Sequence, residues 1–204
     1  MKNVYLDCGT NLCQGLRRIS KNHNIDSEWN VYSFEANPIT YNNIDKQKYP
    51  HVTFVNKAVW IENCYMDLNT EIWPGEVKKD NTINLLNESV TDLAIGGASN
   101  IMGDNFNYIY SDPKHVCKKS HNVECFDFSN FILKNLNKED FIVIKLDIEG
   151  AEYPVLEKMI KDDTLSYVNV LYVEWHNHML TNKYDEYSIR NVISNKNIIL
   201  NEWY

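Results

Sequence analysis

Two groups of residues in the 204-residue sequence have the types and spacing to do chemistry. The first is Asp7, Gly9, Asn11 and Gly15, answered by a second acid, Glu35, at the end of the next apolar run. Small residues behind an apolar run let a ligand approach the backbone. An acid at the tip of the following strand can accept hydrogen bonds from both hydroxyls of a ribose. The second group is Lys145, Asp147, Glu149 and Glu152, joined later by Glu174, His176 and His178. Carboxylates and an imidazole are the groups that take a proton from a hydroxyl or bind a divalent ion.

These residues need a scaffold, and hydrophobic patterning supplies one. Residues 3–7 read as a strand, followed by a helix from Leu12 to about Asn22 with Leu12, Leu16 and Ile19 at helical spacing. A second strand at 31–35 leads to Pro38, which suits the first position of a helix. The third strand is 51–55, with an extension through Ala58 to Trp60. Parallel strands need crossovers of this length, so the chain is α/β, with a mostly parallel central sheet and helices on both faces.

From 64 to 121 no period is sustained, and Trp73-Pro74-Gly75 and Gly96-Gly97 break the pattern. This stretch is expected to be an inserted substrate lid within a single domain of residues 1–204. Its aromatic residues Trp73, Phe106, Tyr108 and Tyr110 suit either stacking on a sugar ring or packing of the lid on the sheet.

Order returns with a strand at 122–128, a helix near 129–136, and a strand at 141–150 whose run of Ile and Val predicts burial on both faces. A helix over 151–161, a strand at 168–175, a helix at 185–194 and a strand at 197–203 complete the sheet. Strand alternation puts Asp147 with Glu149, and Glu174 with His176 and His178 if the strand reaches that far.

The net charge of −8 and pI near 5.2 argue against a tracker of nucleic-acid phosphates. No apolar run approaches the ~20 residues of a membrane span, and no signal-peptide pattern precedes the first strand. Five cysteines, Cys8, Cys13, Cys64, Cys117 and Cys125, show no CxxC pair and suit free thiols. Those features predict a cytosolic protein, in a host cytosol if the source is viral. Oligomeric state is not legible.

A dinucleotide fingerprint requires glycine where this chain has Asn11 and Gln14, which disfavours a nicotinamide oxidoreductase. Asp7-x-Gly9-x-Asn11 with Gly15 instead resembles the first loop of class I S-adenosylmethionine methyltransferases. DCGTN, FEANP, NKAV at 56–59, IKLDIEGAEYPVLEKM and VEWH at 173–176 together resemble the FkbM family of methyltransferases, from residue 4 to about 176.

The resemblance implies a Rossmann-like fold and O-methylation of a sugar or related small molecule. It places Asp7, Gly9 and Asn11 at the methionine end of S-adenosylmethionine, Glu35 on the ribose, and Asn37 and the stretch from Asn56 to Ala58 beside the adenine. Stretch 64–121 departs from the family pattern. Asp147 and His176 are the candidate catalytic residues, with Lys145 either orienting a carboxylate or merely pairing with Glu149, and Glu149 and Glu174 face the acceptor. A divalent ion on Asp147 and His176 is conceivable but not favoured, since no tight ligand spacing supports it. The expected acceptor is a hydroxyl of a glycan or nucleotide-linked sugar. The alternatives are a nitrogen or non-sugar acceptor, or a non-catalytic interaction module of the same fold.

Overall fold

The computed structural model describes residues 1–70, 99–106 and 119–204, with backbone alone at 119 and 120. The main sheet has six parallel strands: β1 (Asn3–Cys8), β2 (Asn30–Phe34), β3 (Val52–Val55), β7 (Phe141–Leu146), β8 (Val170–Val173) and β9 (Ile199–Glu202). Their order is β3-β2-β1-β7-β8-β9. Strand order therefore reverses between β1 and β7. In open α/β sheets ligands bind outside the carboxyl ends of the strands at such a point.

Alternation along the central strands divides the core. Val4, Leu6, Ile142 and Ile144 join one cluster with α3 (Phe128–Asn135), α4 (Glu152–Lys161) and α5 (Glu186–Ser194). Tyr5, Val143 and Val170 turn to the opposite face and pack with Leu16 and Ile19 of α1 (Gln14–His23). At about 25 cal/mol per Å² of apolar surface, these two faces are the main stabilising term. The same alternation carries Asp7 and Lys145, direct neighbours in the β1–β7 register, onto the α1 face, where both are buried.

Three expectations change. The run from 51 to 60 is not one strand: β3 ends at Val55, and β4 (Ala58–Trp60) leaves for a second sheet with β5 (Cys64–Thr70) and β6 (Lys119–Asp127), of order β4-β6-β5. Asn56 marks the departure, its amide donating to the carbonyls of Glu35 (2.7 Å) and Ala36 (3.3 Å). The stretch 64–121 is not wholly an aperiodic lid either. Its start is β5 (Cys64–Thr70), antiparallel to β6 (Lys119–Asp127). Residues 99–106 return to this sheet, where Asn100 bridges Asn69 and Ile101 is buried. Phe106 is buried and bridges Leu180, so it packs rather than presenting a stacking face. Trp73, Tyr108 and Tyr110 lie outside the described residues.

Finally, β7 and β8 are shorter than their apolar runs suggest. After Leu146 the chain turns through Glu149 (φ 54°) and Gly150 (φ 95°). After Val173 it enters a 3-10 turn at Asn177–Met179 with His176 at its N-cap. Glu174, His176 and His178 therefore do not share a strand face. Four of the five cysteines fall in described regions, and all four are free.

Candidate active site

A cavity of about 620 Å³, counting its open mouth, lies beyond the carboxyl ends of β1, β2 and β7. Gly9 and Asn11 line it from the loop after β1, Glu35 from the tip of β2, Ala58 from β4, and Asp147 and Glu149 from the turn after β7.

Gly9 is required twice. Its φ is 78°, and a Cβ there would lie 1.7 Å from the carbonyl oxygen of Asp147, so the β1 and β7 loops touch only because the side chain is missing. Glu35 is buried, and its two oxygens each accept a backbone N–H at 2.8 Å, from Asn11 and Asn37. Burial pushes its carboxyl up to about 7, although the amides of Asn37 and Asn11 pull it back. Each oxygen retains a lone pair for a ligand. Beside it, the buried Oδ1 of Asn11 has no hydrogen-bond partner.

The remaining expected cofactor residues act from behind the wall. Asn37 caps α2 (Pro38–Asn43) by accepting from the Ile39 amide at 2.9 Å and donates to Ser99 at 3.2 Å. Asn56 holds the backbone after β2. Asp7 is fully buried and does not line the cavity: its Oδ2 accepts from Thr10 at 2.5 Å, and Thr10 in turn accepts from Ser33 at 2.6 Å.

Lys145 is also sealed in. Its Nζ donates to the Gly9 carbonyl at 2.6 Å and pairs with Asp147 Oδ2 at 3.0 Å and Asp7 Oδ1 at 3.7 Å. Burial alone would lower its pKa, but Asp147 and Asp7 win and raise it. The side chain is thus a fixed cation that orients Asp147. Gly15 makes the room, since a Cβ there would lie 2.5 Å from Asp7 Oδ1. Trp203 completes this corner: its Nε1 donates to Asp147 Oδ2 at 3.1 Å, and its ring lies 5.3 Å from Lys145 Nζ. Nothing in the sequence flagged a tryptophan one residue from the chain end.

The other corner centres on His176, which is 4% exposed. Its Nδ1 meets Glu152 Oε1 at 3.0 Å, while Nε2 faces Glu149 Oε2 at 3.5 Å and Glu174 Oε1 at 3.7 Å. Burial would lower the imidazole pKa, but Glu152 and Glu149 overcome it and raise it to about 10. His176 does not line the cavity: Nδ1 is held by Glu152 and Nε2 faces Glu149 and Glu174, which places it beside the carboxylates and not against an acceptor hydroxyl. Burial is also the main reason that the carboxyl of Glu174 rises to about 7 and that of Glu149 rises well above the usual range.

Glu152, which on sequence alone needs only to favour the helix dipole, does more. It is fully buried and accepts from the amides of Ile148 (2.7 Å) and Gly150 (2.8 Å), fixing the turn that carries Glu149. His178 stacks beside His176 at 6.3 Å between centroids and is exposed.

A parallel α/β sheet with a cavity at its switch point and an acid on the second strand defines a Rossmann-like fold of the class that binds nucleoside-containing cofactors. Within that class, the methyltransferase FkbM domain matches residues 7–197, and the chain belongs to the FkbM methyltransferase family. No curated protein and no solved structure compared with the chain matches it. Among the described residues, no helix is long and apolar enough to cross a membrane.

Proposed function

We propose that the protein is an S-adenosylmethionine-dependent O-methyltransferase acting on a hydroxyl of a carbohydrate, free, nucleotide-linked or within a glycan. The observation that carries the cofactor reading is the Glu35 carboxylate on the cavity wall beside Asn11, with each of its oxygens held by one backbone N–H. Its two acceptor oxygens fit the vicinal hydroxyls of a ribose. The apolar residues Phe34, Ala36, Val59 and Ile101 beside them fit a flat base.

The bound cofactor would supply an electrophilic methyl group. The chain's own task is alignment, which can contribute up to ~7–11 kcal/mol without elaborate acid–base machinery. Glu35 and Asn11 would orient the nucleoside end, and Gly9 lets the wall come close. Asp147 and Glu149 face the far end of the cavity, where an acceptor hydroxyl would sit. Lys145 and Trp203 both contact Asp147 Oδ2, which leaves Oδ1 to hold that hydroxyl or take its proton. His176 positions the carboxylates around it rather than accepting the proton. The acidic surface supports a neutral or cationic acceptor over a nucleic acid.

The test is incubation of the protein with labelled S-adenosylmethionine and a panel of sugars, nucleotide sugars, amines and catechols, read by mass spectrometry. A +14 Da product on a sugar is the expected result; labelling confined to amines or non-sugar hydroxyls would move the acceptor class.

A further inference from the structure

The corner built on His176 gathers acids around one imidazole. Around Lys145 and His176 stand the side chains of Asp7, Asp147, Glu149, Glu152 and Glu174. Lys145 is committed to Asp7 and Asp147. That leaves the imidazole facing Glu149, Glu152 and Glu174 alone, in a place largely closed to water.

A second observation concerns the ring itself. Its Nδ1 has a well-formed bond to Glu152, but Nε2 reaches carboxylate oxygens only at 3.5 and 3.7 Å, longer than the ~2.7–3.2 Å of a good N–H···O bond. Such separations are instead those between neighbouring ligands of one ion, since oxygen and nitrogen each ~2.1 Å from a shared metal lie ~3–4 Å apart. One ligand atom each from Asp147, Glu149 and His176 lies within 4.8 Å of the others.

Glu152 completes the pattern. A histidine that ligates a metal commonly donates its other ring N–H to a carboxylate, which fixes the tautomer and points the free nitrogen at the ion. Glu152 does this for His176 and also ties down the backbone on either side of Glu149. Asp147 is prepared in the same way, because Lys145 and Trp203 occupy Oδ2 and leave Oδ1 open.

From this geometry we infer that Asp147, Glu149 and His176 form a binding site for one divalent cation at the acceptor end of the cavity. Two carboxylates and an imidazole suit an ion that accepts both oxygen and nitrogen, of which Mn²⁺ is the natural probe. Asp147 and Glu149 line the cavity, so the ion's remaining positions would be open to water or to acceptor oxygens. The inference deepens the proposed function, giving the acceptor end a preference for substrates that present two adjacent oxygens. Ion binding is nonetheless measurable without cofactor or acceptor.

The experiment is a titration of the full chain with Mn²⁺, followed by electron paramagnetic resonance of the free ion and by melting temperature. One Mn²⁺ per chain is expected, with a rise in melting temperature. Glu149→Gln should weaken binding by about 10–100-fold, and His176→Gln at least as much, while exposed Glu157→Gln changes nothing. If His176→Gln does not fold, Glu149→Gln decides alone. A wild-type chain that binds no Mn²⁺, or a Glu149→Gln chain that binds it as well as the wild type, overturns the site. Calorimetry with S-adenosylmethionine on the same preparation separates the two ideas: cofactor binding without Mn²⁺ binding defeats only this inference, and the reverse defeats only the proposed function.

Discussion

The two ends of the cavity solve the same electrostatic problem differently. At the Glu35 end a single buried carboxylate meets two backbone N–H donors, and the surrounding wall is mostly apolar. Each oxygen is held by one backbone N–H, and what remains on offer is hydrogen-bond acceptance. At the Asp147 end several acids crowd Lys145 and His176, and the donors are too few. The difference assigns the ends: the first suits a neutral hydroxyl-bearing ligand, the second a positively charged one or an ion.

The largest test of that contrast is Lys145→Met. It leaves buried Asp7 and partly buried Asp147 without their shared cation, and breaking a buried pair in this way costs ~3–5 kcal/mol. Urea denaturation should show a loss of that order. A loss below 1 kcal/mol, on the order of a surface pair, would mean that the Asp147 end is far better solvated than its burial indicates.

Next in size is Glu35→Gln, which keeps the shape of the other end but removes its charge. Charged hydrogen bonds contribute ~1.5–3 kcal/mol, so affinity for S-adenosylmethionine should fall ~10–100-fold in calorimetry. Glu35→Ala is the less clean variant, because it would also release the amides of Asn11 and Asn37 and loosen both loops.

The wild type offers the same test by pH. With its carboxyl pushed up to about 7, Glu35 is ionised above that pH and protonated below. Cofactor affinity should be flat above pH 7 and fall by up to ~tenfold per unit beneath it, a dependence that Glu35→Gln abolishes. Stability responds in the other sense. The folded chain holds this proton more tightly than the unfolded one, so the contribution of Glu35 favours folding below about pH 4.5 and is lost as pH rises through about 7.

The smallest effect is expected at Thr10→Val, which removes the donor to Asp7 and the acceptor of Ser33. About 1–3 kcal/mol of stability should go, with cofactor affinity nearly unchanged, because Thr10 stands behind the wall.

How much of this was legible varied along the same divide. The Glu35 end was readable because it rests on local features: apolar strand, small-residue loop, acid at the next strand tip, Pro38 opening a helix. The structure puts Gly9, Asn11, Glu35 and Ala58 on the wall, and Asp7, Asn37 and Asn56 behind it. That distinction depends on side-chain direction, which spacing alone does not carry.

The Asp147 end was readable in its residues but not in its arrangement. Strand alternation grouped Glu174 with His176 and His178, whereas a 3-10 turn after β8 swings His176 toward Glu152. The left-handed turn at Glu149 brings that carboxylate to the same imidazole. Trp203 arrives only because β9 runs parallel to β8 at the sheet edge. In the same way β5 was invisible because its partner β6 is distant in sequence, and its weak alternation makes sense only once the two strands pair.

The central claim is that Glu35 holds the nucleoside end of S-adenosylmethionine, and one measurement addresses it directly: calorimetric titration of wild-type and Glu35→Gln chains with the cofactor at pH 8 and pH 6. The account predicts 1:1 binding to the wild type that weakens at pH 6, and a ~10–100-fold weaker variant with the same affinity at both pH values. Equal affinity of the two chains at pH 8, with both folded, would contradict it.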